Sequence, residues 1–430
     1  MRDLESNATI IYRMQDSVKR RMTNILRWSE KYTKTDMVYL MKGGFWLTIS
    51  QIIGTLTSLA TSVAFANWLP QETYGIFRYV LSVVPILAIP TLAGMDTATT
   101  RAVAQGKEST AYAALSLKMR WGVWGALGSL VVAAYYYAQG DTRLMFLFLI
   151  AAAFIPLMEP FNLFVAFLTG KKDFKLRTYY GTLTRIVPTI VLIAITFFTN
   201  NIFILVGGYF MAYTLTRFIA WTRVSRNVPK DGDIDHAALG FGKHLSAMGI
   251  LSTLSTSLDS ILIFHFGGGA ALAGYYLAIV PYSQLSSAFS NLNIIALPKL
   301  SLQTTASLVH TLPRKAARSF AVILPIVLIY LVAAPTLFSL LYPAYVSYAS
   351  LSSLFMLQLL FFPIGMFSTA FIALGERKKL YLSSTTYAIV RIVLLLVLTP
   401  LYGVWGAAAA LLISAFIINI IKIILFFRLQ

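Results

Sequence analysis

From Leu144 to Phe198 the chain reads LMFLFLIAAAFIPLMEPFNLFVAFLTGKKDFKLRTYYGTLTRIVPTIVLIAITFF. Two apolar runs, 144–168 and 176–198, are parted by Lys171, Lys172, Lys175 and Arg177. Each run has about the ~20 residues that a helix needs to cross a bilayer. Lipid offers the backbone no hydrogen bonds, so only helices or a closed barrel can span it. Runs this long and continuous exclude the barrel, whose strands alternate in segments of about ten residues. The pattern continues outward, with further stretches at 43–66, 74–98, 118–138, 202–222, 244–266, 272–298, 319–338, 346–374, 380–399 and 403–427, twelve in all.

Charge orients the stretches. Assigning their connections alternately to two sides sorts the 35 Lys and Arg residues sharply: thirty fall on one side and Arg143 alone on the other. The remaining four, Arg78, Arg185, Arg217 and Arg391, lie within apolar stretches. By the positive-inside rule the basic side is cytoplasmic, the crossings are even in number and both termini are cytoplasmic. The expected fold is all-α: a multi-pass protein of the inner or plasma membrane with about twelve transmembrane helices.

A chain that is 58% hydrophobic and 12% charged does not fit a soluble core of ordinary composition. Its net charge of +19 is accounted for by topology signals and lipid-headgroup contacts, so membrane lipids rather than nucleic acid are the expected partners. With no cysteine, disulfides and thiolate metal sites are excluded. The four histidines (His236, His244, His265, His310) lack metal-ligand spacing, and no metal, cofactor or catalytic residue is expected. No cleavable signal peptide is expected either, the first apolar run itself directing insertion.

The organisation is bipartite. Residues 1–42 carry Met14, Val18, Met22, Ile25 and Tyr32 at near-helical spacing among basic residues, which fits a basic amphipathic helix on the cytoplasmic surface or, equally, a partly disordered basic tail. A first six-helix bundle is expected over 43–224, a cytoplasmic linker with Asp231, Asp233 and Asp235 over 225–242, and a second bundle over 243–430. The halves resemble each other: Phe65 to Gly75 has the same separation as Phe264 to Gly274. Gly170 precedes Arg185 much as Gly375 precedes Arg391. Six crossings return the chain to its starting side, so the repeats would be parallel.

Polar residues concentrate in stretches one, seven and eight. Gln51, Thr55, Ser58 and Ser62, and likewise Ser252, Thr256 and Asp259, share a helix face by their spacing. Gln284, Asn291 and Asn293 follow in stretch eight. Isolated hydroxyls permit close helix packing; whole stripes with amides and a carboxylate point to a hydrated central cavity. Intramembrane arginines require solvation or a partner and mark function by default. Arg185 and Arg391 fall near mid-depth and Arg78 just inside the outer surface, with forks suited to phosphate. Pairing with Glu159 or with helix carbonyls is the structural alternative for Arg185 and Arg391, and Arg217 reads as an interfacial anchor. The candidate substrate contacts are Arg78, Arg185, Arg391, Gln51, Ser58, Thr256, Asp259, Gln284 and Asn291, with Asp259 and Glu159 as coupling-ion candidates for a proton or sodium.

The end of stretch one reads Phe65-Ala66, Leu69-Pro70, Glu72, Tyr74-Gly75 and Phe77, and stretch two ends in Gly94-Met95-Asp96 followed by Arg101. These motifs resemble the polysaccharide biosynthesis or oligosaccharide (Wzx-like) flippase family, part of the multidrug/oligosaccharidyl-lipid/polysaccharide superfamily with a MATE-like fold. The resemblance covers about 43–428. Asn67-Trp68 stands where the family often has a small residue or glycine, and related peptidoglycan-precursor flippases usually carry two helices beyond the twelve read here. The resemblance implies two six-helix bundles around a central cavity. It also implies alternating-access transfer of a polyprenyl-pyrophosphate-linked oligosaccharide, such as an O-antigen repeat unit, to the outer leaflet, with glycosyltransferases or a glycan polymerase of the same pathway as possible partners. A cation-coupled drug or small-solute antiporter of the same fold is the alternative. A membrane glycosyltransferase lacks its acidic site and large outer loop here, and a major-facilitator carrier lacks its Gly-Asp-Arg signature between stretches two and three.

Overall fold

A computed structural model describes residues 37–226, 228, 232–300 and 305–428, without the side chains of 37–44, 47, 291–300, 306 and 377. The expected amphipathic segment over 1–42 lies almost wholly outside the described residues, as does Asp231. Among the described residues the fold is all-α. In chain order the helices are α1 (Met37–Trp68), α2 (Gln71–Leu87), α3 (Met95–Ala104), α4 (Thr110–Ala138), α5 (Thr142–Phe161), α6 (Phe164–Gly170) and α7 (Phe174–Phe198). There follow α8 (Ile202–Val224), α9 (His236–Leu300), α10 (Thr305–Leu341), α11 (Ala349–Leu357), α12 (Gly365–Ala373) and α13 (Arg377–Phe427). Short 3₁₀ turns at Ile89–Thr91, Pro343–Tyr348 and Gln358–Ile364 join them.

Eight helices among the described residues are long and apolar enough to cross a membrane, or nine if the bent pair α2 and α3 is one crossing. Two of the eight, His236–Ser290 and Lys378–Phe427, run to 55 and 50 residues. At 1.5 Å per residue they would reach about 83 and 75 Å, far beyond the ~30 Å hydrocarbon core. Both are hairpins in disguise. Backbone at Gly268 (φ 77°, ψ −177°) and Gly403 (φ 56°, ψ −133°) leaves the helical region, in conformations that glycine adopts without a Cβ penalty. Reaching the expected twelve crossings takes counting each hairpin twice, the bent pair once, and α4, which falls outside the helices that meet this length and apolarity.

Short polar residues start the helices where the sequence turns. Asp141, Asp173 and Asn201 each accept a hydrogen bond from a first-turn backbone N–H of α5, α7 and α8, at 2.9, 3.0 and 2.9 Å. These caps satisfy donors that helix geometry leaves orphaned. Asp235 does the same for α9, accepting from Ala238 N–H at 2.9 Å, and lies within 3.7 Å of Lys107. The Ala238 N–H, helped by Lys107, holds the Asp235 carboxyl below its usual range. Proline breaks the second crossing, where Pro90 and a left-handed Leu92 bend α2 and α3 apart by 49°.

The halves are clasped at the end that carries the Lys/Arg-poor turns. There Asn67 Nδ2 donates to the Leu341 carbonyl at 2.9 Å, Gln71 Nε2 to the Ala344 carbonyl at 2.9 Å, and Ser62 Oγ meets the Tyr342 hydroxyl at 2.9 Å. Glu72 accepts from Ala270 N–H at 3.1 Å, and Tyr79 stacks on Phe264 with centroids 3.9 Å apart. Gly75 lies against the backbone of Gly269, a spacing that leaves no room for a side chain. The Phe65–Gly75 and Phe264–Gly274 segments, matched in sequence, thus meet. Toward the basic end α3 also touches α9, Gly94 N–H donating to Ser246 Oγ at 2.9 Å. Phe198, Val332 and Leu340 are exposed on the outside, as lipid-facing positions are.

Gly75→Val is expected to push α2 off α9 and lower stability by about 1–3 kcal/mol, the usual cost of overpacking. Unfolding of the detergent-solubilised protein, followed by tryptophan fluorescence, measures this, and an unchanged Tm contradicts the close approach.

Candidate functional site

Between the halves lies a cavity of about 410 Å³. The polar stripe of α1 forms one wall with Gln51, Thr57 and Ser58; α2 adds Arg78, α7 Arg185, and α8 Tyr209 and Tyr213. The second arm of α9 closes it with Tyr276, Gln284 and Ser287. Gln284 Nε2 donates to Ser58 Oγ at 3.0 Å, joining the halves at the cavity wall. Five candidates, Gln51, Ser58, Arg78, Arg185 and Gln284, therefore surround one space.

The two arginines are held in different ways. The Arg78 guanidinium lies 3.1 Å from the Tyr276 ring centroid and 5.7 Å from that of Tyr74. Its Nε is buried without a hydrogen-bond partner. Ring faces stabilise a cation by about 2 kcal/mol when water is excluded, yet they satisfy none of its N–H donors. Arg185 is exposed to the cavity and donates to the Ser50 carbonyl at 3.0 Å. It passes over Gly54, where a Cβ would collide with its guanidinium. Neither arginine has a carboxylate partner among the described residues. Their forks are left with donors for an anion.

A second cavity of about 340 Å³ adjoins the first, sharing Arg185 and Tyr213 and adding Arg177, Arg217 and Asn162. Arg217, expected as an interfacial anchor, is instead locked: Nη1 donates to Glu159 Oε1 and to the Met158 carbonyl, both at 2.9 Å. Glu159, a coupling-ion candidate, is thereby paired.

The remaining candidates lie elsewhere. Arg391 Nη2 donates to Asp259 Oδ2 at 3.1 Å, and the Tyr275 hydroxyl donates to the same oxygen at 2.9 Å. Asp259 and Arg391 are 5% and 8% exposed, away from the central cavity. Thr256 is exposed and spends its hydroxyl on the Ser252 and Thr253 carbonyls of its own helix. Asn291 sits on the second arm of α9, but its side chain lies outside the described residues.

The sequence reading missed the aromatic partners. Tyr209, Tyr213 and Arg217 follow one another at i, i+4 spacing on α8, a signal that was available. Tyr276 belongs to the polar stretch eight and lies on the face of Gln284 and Ser287, whereas Tyr74 carries no such signal, because its role depends on packing between elements as far apart as the Glu72–Ala270 bond, 198 residues.

The sequence profile described as polysaccharide biosynthesis protein matches residues 40–301, more than half of the sequence. The chain belongs to the polysaccharide biosynthesis protein family. No curated protein matches the sequence. Solved structures share the fold of this family member. The lipid II flippase MurJ in an inward closed conformation superimposes with a TM-score of 0.68 at 14% identity, over 89% of this chain and 87% of MurJ. An outward-facing multidrug resistance MATE family transporter of the MOP superfamily matches with a TM-score of 0.62 at 18% identity, over 90% and 95%. A MOP superfamily transporter from Pyrococcus furiosus gives 0.61 at 19%, also over 90% and 95%. The protein is thus a multi-pass membrane member of the polysaccharide biosynthesis protein family with the MATE- and MurJ-like fold.

Breaking the buried pair exposes its cost. Asp259→Leu or Arg391→Met alone is expected to destabilise by about 3–5 kcal/mol, because an uncompensated charge remains, while the double replacement restores most of the loss. Thermal unfolding of the three variants checks this; an additive double mutant contradicts the pairing.

Proposed function

We propose that this family member carries a polyprenyl-pyrophosphate-linked oligosaccharide, a polysaccharide or O-antigen repeat unit, from the cytoplasmic to the outer leaflet by alternating access. The single observation that carries the reading is the central cavity's charge. Its charged lining residues are Arg78 and Arg185, neither offset by a carboxylate. Two guanidinium forks lining one cavity, from α2 and α7, suit a diphosphate. Thr57, Ser58, Thr61, Gln51 and Gln284 offer hydroxyls and amides to sugars, while the prenyl chain stays in lipid. The clasp at the Lys/Arg-poor end closes the side that the positive-inside rule makes external, and parting the α3–α9 contact at Gly94 and Ser246 would admit substrate from the cytoplasm. Both termini are then cytoplasmic, in the inner or plasma membrane, and glycosyltransferases and a polymerase would supply and consume the substrate.

The antiporter alternative has less support. It calls for a carboxylate that a cation can occupy, and Glu159 and Asp259 both face arginines at 2.9 and 3.1 Å. A proton or sodium ion coupling through either would first have to displace a guanidinium.

Translocation of a fluorescent lipid-linked glycan in proteoliposomes tests the proposal. A charge-assisted hydrogen bond contributes about 1.5–3 kcal/mol, so Arg78→Ala and Arg185→Ala should each slow flipping roughly ten- to a hundred-fold at equal reconstitution. Wild-type rates equal to those of empty vesicles would sink the reading.

A further inference from the structure

The second half holds a polar pocket that the transport reading leaves unused. It measures about 210 Å³ and is walled by α9, the Gln358–Ile364 turn and both arms of α13. Gln358 is 7% exposed, and its Nε2 has no hydrogen-bond partner. Buried amide donors are almost always satisfied, so an orphan lining a pocket points to something that fills it. Asn419, also buried, lines the same space with the hydroxyl-bearing rings of Tyr282 and Tyr387. Lys422 lines it too, and among the described residues no carboxylate lies within ion-pair distance of its ammonium.

This chemistry differs from that of the arginine cavity. Amides both donate and accept, as vicinal ring hydroxyls require. Tyrosines present an apolar face and a polar tip to the same ligand. Lysine supplies a compact point charge where the first half supplies planar forks. The pocket has room for one ring, not for a chain of them. Position completes the argument. On the second arm of α9, Gln284 and Ser287 face the arginine cavity, whereas Tyr282 and Ser286 face this pocket. One helix arm therefore separates an anion site from a hydroxyl-and-ammonium site.

We propose that the pocket bounded by Tyr282, Gln358, Tyr387, Asn419 and Lys422 receives a carboxylate-bearing sugar ring of the transported glycan, a hexuronate or its chemical equivalent. The inference rests on the transport reading and narrows its substrate to acidic glycans. The first half takes the diphosphate, the second half a sugar, and closure around both spans the α9 arm.

Saturation-transfer NMR tests this on the full chain in phosphatidylcholine nanodiscs, with methyl glucuronide and methyl glucoside as probes. The glucuronide is expected to bind about tenfold more tightly, the worth of one charge-assisted contact. Lys422→Gln should bring the two to parity. Gln358→Leu, which replaces an amide whose Nε2 is unpaired with an apolar side chain and so keeps the fold, should weaken both. Absence of sugar binding, or glucuronide binding indifferent to Lys422→Gln, overturns the proposal. So does loss of the glucuronide signal when phosphatidylglycerol is added to the nanodiscs, which assigns the pocket to a lipid headgroup. Flipping without sugar binding overturns this inference alone; Lys422-dependent binding without flipping upholds the pocket and overturns the transport reading.

Discussion

A guanidinium inside a membrane has to be solvated or paired, and how each intramembrane arginine meets that demand divides this molecule into locks and a site. Arg217 and Arg391 meet it with carboxylates, Glu159 and Asp259. Both pairs are internal to one half, and both tie helices that are distant in sequence. Arg78 and Arg185 meet it without carboxylates, through tyrosine rings and the Ser50 carbonyl. These two have no carboxylate beside them among the described residues, and both open into the cavity between the halves. A neutralised arginine is scaffold; an arginine held by π-faces or by a single carbonyl is poised to take an anion.

The clasp gives that cavity a direction. Hydrogen bonds from Asn67 and Gln71 to backbone carbonyls, the Ser62–Tyr342 contact and the Gly75–Gly269 approach all lie at the Lys/Arg-poor end. These polar contacts sit on a shared buried core in which Tyr74 and Phe77 of α2 pack with Leu272 and Tyr275 of α9, so parting them means repacking apolar side chains as well as breaking hydrogen bonds. Toward the basic end the halves touch where α3 meets α9, Gly94 N–H donating to Ser246 Oγ at 2.9 Å. Opening one end and closing the other requires trading these sets of contacts, the exchange that alternating access demands.

Much of this architecture was legible in the sequence. Continuous apolar runs dictate helices because lipid gives the backbone no other partner; the gap between stretches at 267–271 contains the break at Gly268, and the break at Gly403 falls one residue after the gap at 400–402. The α1 stripe was readable because helical spacing alone puts Gln51 and Ser58 on one face. The same spacing placed Thr256 beside Asp259, yet the two part company: Asp259 is buried against Arg391, and Thr256 turns outward onto its own backbone. Face membership says which way a side chain points; only packing says what it meets. The Asp259–Arg391 pair, separated by 132 residues, and the Tyr276 ring over Arg78 are products of tertiary contact and leave no local signature. The matched Gly-to-Arg spacing in the two halves suggested equal roles for Arg185 and Arg391. The structure differentiates them, because one half supplies a carboxylate at that depth and the other does not.

The most direct test of this division is binding of a lipid pyrophosphate in nanodiscs, with farnesyl pyrophosphate compared against farnesol. The account predicts that the pyrophosphate binds and farnesol does not, and that affinity falls about tenfold or more for Arg78→Ala and for Arg185→Ala. Equal binding of the two lipids, or pyrophosphate affinity unchanged in both variants, would contradict it.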